Sequence, residues 1–166
     1  MTKENVNLES LIKKIEELKK SGKIDLSSDE DLSIAVMNLI SLEEHLFFTG
    51  AKTGKDSYFD LLKDVRETRK ALLGKLIPKN EGETWCTSKH LLATTMRLIE
   101  MGTKLYADGK TKEAKEVFSH AHKIYSIFWG LRLKLIDIPE LKADAKREQP
   151  WTLGEILDKL VDCCDE

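Results

Sequence analysis

The stretch Trp85–Leu131, WCTSKHLLATTMRLIEMGTKLYADGKTKEAKEVFSHAHKIYSIFWGL, decides the fold. Trp85, Leu92, Met96 and Ile99 recur every three or four residues and share one face of a helix that opens at Glu83 or Thr84. Leu91, Leu98, Met101 and Leu105 recur on the opposite side, and a helix apolar on two sides is sandwiched between others. Asp108-Gly109 breaks it, because glycine accepts the left-handed conformation that ends helices. Thr111 is the expected N-cap of a second helix. Its apolar face is Ala114, Val117, Phe118, Ala121, Ile124, Tyr125, Phe128 and Leu135, and Pro139 sets its limit.

The spacing from Leu98 to Ala121 resembles one tetratricopeptide repeat. Leu98 and Met101 take the early hydrophobic positions, and Leu105 the usual tyrosine position. Gly102 takes the small position where two helices approach closely; Ala114, Phe118 and Ala121 match the second helix. Leu98 replaces the usual tryptophan, Ser126 stands at the closing proline position, and no neighbouring window repeats the pattern. Repeats of this kind stack in several copies. The resemblance therefore implies a tightly packed helical hairpin rather than a repeat-type peptide groove.

Outward from this hairpin the periodicity stays helical. Leu8, Leu11, Ile12, Ile15 and Leu18 form one stripe over residues 7–21. A second helix, with capping-box spacing at Ser27/Glu30 and Ser28/Asp31, runs to about Thr49-Gly50 on Leu32, Val36, Leu39, Ile40, Leu46 and Phe47. A third starts near Asp56 or Ser57 and ends near Ile77, on Tyr58, Leu61, Leu62, Val65, Leu72, Leu73 and Leu76. After Pro139 the segment ELKADAKREQ is charged and nearly free of large apolar side chains. Thr152 and Glu155 then cap a short stripe of Leu153, Ile156, Leu157, Leu160 and Val161. Alternating strand patterns are missing. The expected fold is all-α: an antiparallel bundle of four to five main helices over 1–138, a charged linker over 139–150, and a short amphipathic C-terminal helix over 151–166.

Bulk composition narrows the function classes. Of the 166 residues 34% are charged and 41% hydrophobic, with three prolines and nine glycines, which suits a helical protein in water. A net charge of −2, with both signs interleaved, predicts neither nucleic-acid nor anionic-membrane binding. No apolar run approaches the ~20 residues of a membrane span, and MTKENVNLES lacks a secretory core. Cys86, Cys163 and Cys164 form no disulfide framework, so the expected compartment is the reducing cytoplasm.

One anomaly points to a site. On helical wheels Glu43, Arg69, Lys89, Glu100 and His122 fall on the apolar side of their helices. Charges inside a protein come in pairs, so a buried salt-bridge network that fixes register is the leading reading. The alternative is a pocket in which these five residues bind or act on a small polar ligand, as a hydrolase would, with or without a metal. No metal or other cofactor is expected: Glu-x-x-His does not occur, and Cys86 with His90, four apart, are the weak candidates for a site. Glu43-Glu44 begins the acid motif of all-α nucleotide pyrophosphatases, but Phe47 stands at its third acid position. Phosphate-binding glycine loops and nucleophile elbows do not occur. The expected function is therefore binding, to a protein partner or to itself as a homo-oligomer.

Overall fold

The computed structural model describes residues 25–78 and 83–135, with Lys13, Glu16, Glu17 and Lys20. Among the described residues the chain is all-α, without strands. Its four long helices are α1 (Leu26–Thr53), α2 (Ser57–Leu76), α3 (Glu83–Ala107) and α4 (Thr111–Arg132). The chain divides into two units, Met1–Leu76 and Ile77–Glu166. Within the first α1 packs on α2, and within the second α3 packs on α4. Each pair is an antiparallel hairpin with a short turn. The helix expected over 7–21, the charged linker and the C-terminal helix lie outside the described residues apart from those four N-terminal positions.

In the first hairpin, Asp25 rather than Ser27 or Ser28 caps α1, its carboxylate accepting from the Ser28 amide at 3.1 Å. Both serines sit inside the first turn. The helix does not stop at Gly50 but continues to Thr53, where Gly54, at φ 65°, ends it and donates to the Gly50 carbonyl at 2.8 Å. Gly50 serves packing instead: a Cβ there would stand 2.9 Å from the Phe59 ring. Val36, Met37 and Leu46 of α1 and Leu73 and Leu76 of α2 are buried in this unit.

α1 also departs from the expectation that no segment resembles a membrane span. Its 28 residues include an 18-residue window of mean hydropathy 1.2, enough by length and composition alone to cross a bilayer. The pattern was missed because Glu43 and Glu44 interrupt the apolar run, whereas one continuous helix joins its two sides.

The second hairpin follows the sequence closely at its turn. α3 closes with the Lys110 amide on the Leu105 carbonyl (2.9 Å) and the Gly109 amide on Tyr106 (3.1 Å), with Gly109 at φ 77°. This is the six-to-one, five-to-two pattern of a left-handed helix stop. Thr111 is the first helical residue rather than the cap; Lys110 takes the cap position without a side-chain bond. α4 ends at Arg132, well before Pro139. The amides of Leu135 and Lys134 bond back to Gly130 and Leu131 at 2.8 and 3.0 Å, and Lys134 takes the left-handed conformation at φ 53°. The same stop motif is thus built without glycine, which is why no sequence signal marked it.

Gly102 sits under the Phe118 ring of α4: an added Cβ would fall 2.5 Å from that ring. Gly102→Val is therefore expected to destabilise the fold by about 2 kcal/mol, the usual scale for overpacking, despite valine's better helix propensity. Urea unfolding of Gly102→Val, alone and with Phe118→Ala, checks this. The second substitution makes room and should return part of the loss.

Candidate functional site

Helix α1 presents Glu43 and helix α2 presents Arg69 toward each other, 26 residues apart in sequence. The Arg69 Nε donates to Glu43 Oε1 at 2.7 Å and its Nη2 to Oε2 at 3.2 Å, a two-pronged pair. The Arg69 side chain is 1% exposed and that of Glu43 13% exposed. Arg66, one turn earlier on α2, brings Nη1 to 4.0 Å from the same carboxylate and is much more open to solvent. Both carboxylate oxygens are thus engaged, as expected of a pair that locks two helices in register.

The other three members of the sequence cluster belong to the second hairpin. Lys89 is half-buried on α3. Glu100 and His122 are exposed, which corrects their placement on buried faces. The packed arc of α3 is set by Trp85, Ser88, Leu92, Thr95 and Gly102, and Glu100 lies at its far edge beside half-buried Met96. The packed arc of α4 is Ala114, Ala121, Phe128 and Leu131, and His122 is rotated one residue, about 100°, away from Ala121. Glu100 does line a surface groove of about 330 Å³, with Arg97, Met101, Lys104, Leu105 and Asp108.

For metal binding, Cys86 is buried in α3 while His90, one turn on, is exposed. Among the described residues no group of three or more histidines, cysteines or carboxylates is placed to hold an ion.

Two further features lie outside the five-residue cluster. Trp85 Nε1 and Ser88 Oγ, one turn apart on α3, are buried without hydrogen-bond partners. The second feature is apolar. Phe47, Phe48, Phe59 and Leu61, grouped toward the turn of the first hairpin, are 50, 60, 40 and 52% exposed. The Phe47 and Phe48 rings meet edge to face at 5.2 Å. By contrast the aromatic cluster of α4 is structural: Phe128 is fully buried, with Tyr125 and Trp129 packed around it at 5.9 and 5.7 Å.

No protein-family model, curated protein or solved structure matches the chain.

Proposed function

We propose that this chain is a helical binding protein of the cytoplasm that docks a protein partner, another chain or a second copy of itself, on the phenylalanine-rich end of its first hairpin. The observation that carries this reading is the exposure of Phe47, Phe48, Phe59 and Leu61 together. Single exposed apolar side chains are ordinary, but large aromatic ones gathered at one end of a hairpin mark interaction surfaces. The apolar length of α1 fits the same reading. Glu43 and Glu44 stand within it, Glu43 is held by Arg69, and its partner helix α2 carries Asp60, Lys63, Asp64, Glu67 and Lys70 on surfaces suited to water. The tetratricopeptide-like spacing of the second hairpin belongs here as a likeness of packing.

A photo-crosslinking amino acid at position 48 of the full chain tests the proposal, with position 63 on α2, also exposed, as the control. The expected result is one discrete adduct specific to position 48. Its mass distinguishes a self-adduct from another protein. Binding of that purified partner should then be lost in Phe48→Asp. No adduct above the control, or binding untouched by Phe48→Asp, contradicts the proposal.

A further inference from the structure

The second hairpin has its own unfilled face, and the chemistry of that face matches a segment of the same chain. Met101 is 52% exposed on α3, and Leu98 and Leu105 flank it at helical spacing, half-buried. Around Met101 runs the groove of about 330 Å³, lined by the bases Arg97 and Lys104 and the acids Glu100 and Asp108 as well as Leu105. An amphipathic segment laid along α3 would meet an apolar line edged by charge.

Charge is unevenly divided along the chain. Between Glu83 and Leu135 there are nine lysines and arginines against five acids. Between Trp151 and Glu166 there are five acids, Glu155, Asp158, Asp162, Asp165 and Glu166, against the single base Lys159. The near-neutral total thus hides a basic hairpin, net +4, followed by an acidic, apolar-striped segment, net −4. The first hairpin, with ten acids and seven bases between Asp25 and Pro78, has the wrong sign for that segment.

Length agrees with charge. The α3/α4 hairpin is antiparallel, so the end of α4 lies level with the start of α3. Met101 is 18 residues into α3, about 27 Å along the axis. The 18 residues from Leu133 to Pro150 reach ~60 Å when extended and have a root-mean-square span near 25 Å as a coil. A tether whose span matches the distance gives an effective concentration on the order of millimolar, which a second copy does not reach. A helix of about ten residues is unstable alone in water and needs such a surface.

We propose that the C-terminal segment 151–166 docks on the Met101 groove of α3 in its own chain, with its Leu153, Ile156, Leu157, Leu160 and Val161 stripe against the apolar line and its acids facing Arg97 and Lys104. The proposal is independent of the surface assigned to the first hairpin.

The tail's own cysteines supply the test. In the full chain, Met101→Cys is oxidised at low protein concentration and the disulfides are mapped by mass spectrometry. Lys123→Cys, exposed on α4, is the control. The expected result is an intrachain bond from position 101 to Cys163 or Cys164, formed at least about tenfold faster than in the control, as tethered docking requires. It should slow in 1 M salt, which screens the charge pairing. Equal rates at the two positions overturn the proposal, as do bonds that join two chains. If Met101→Cys does not fold, Lys104→Cys in the same groove is read against the same control.

Discussion

Glu43→Ala is expected to cost about 3–5 kcal/mol of stability, because it leaves the Arg69 guanidinium, 1% exposed, without the carboxylate that grips it at 2.7 Å. The cost comes from stranding a charge that water cannot reach. The net worth of the intact pair is smaller, since desolvating both partners offsets most of their attraction. Arg69→Met should therefore be tolerated better than Glu43→Ala, and the double variant Glu43→Ala/Arg69→Met should recover much of the loss. Arg66, 4.0 Å from Glu43 and 42% exposed, contributes little, so Arg66→Ala should change stability by less than about 1 kcal/mol. Urea unfolding of the four variants gives the coupling energy directly. A coupling near zero between positions 43 and 69 would mean that the helices do not meet there.

Phe128→Ala carries the second large effect, again about 3–5 kcal/mol. Phe128 is fully buried on α4, stacked at an interplanar angle of 3° on Tyr125 and edge to face with Trp129. Truncation removes the transfer energy of the ring, opens a cavity and unpairs two aromatic contacts. Phe128→Leu keeps most of the volume and should cost less than about 1.5 kcal/mol. The comparison separates a packed core position from one that merely tolerates an apolar residue. A loss below 1 kcal/mol for Phe128→Ala, at unchanged dependence on urea, would show that the site collapses around the gap.

These two positions mark what the sequence makes legible. Periodicity located α2, α3 and the start of α4 within a residue or two, because those helices begin or end at local signals: Asp56-Ser57, Glu83, Gly109. It misplaced two ends: α1 stops at Gly54 rather than at Gly50, and α4 stops at Arg132 with no glycine to mark it. Gly50 is a strong breaker by type, yet it is held inside α1 by the ring of Phe59, a contact nine residues away. Lys134 is no breaker by type, yet it takes the left-handed turn that ends α4. Local chemistry is readable from one residue to the next; a choice made by packing is not.

The candidate site divides along the same line. A wheel gives the angle of a side chain but not how wide an arc of its helix is covered. Glu43 and Arg69 lie near the middle of their arcs, and the structure joins them. Glu100 and His122 lie at the edges, and both face water. Phe47 shows a further limit: it continues the α1 stripe of Val36 and Ile40 but stands near the hairpin turn, where cover ends, and half of its surface is exposed. Phe48, Phe59 and Leu61 are open near the same turn; Leu61 lies on the α2 stripe, while Phe48 and Phe59 fall outside the stripes of their helices.

The proposed function divides the labour: the Glu43–Arg69 pair joins α1 to α2, and the exposed phenylalanines are the surface proposed for a partner. The measurement that tests it most directly is the affinity of the partner trapped at position 48 for two folded variants, Phe48→Asp and Glu43→Ala/Arg69→Met. The account predicts that Phe48→Asp loses binding while keeping its stability, and that the double variant binds like the unaltered chain. Binding lost in the double variant and kept in Phe48→Asp would contradict it, and would make Glu43 and Arg69 the functional site.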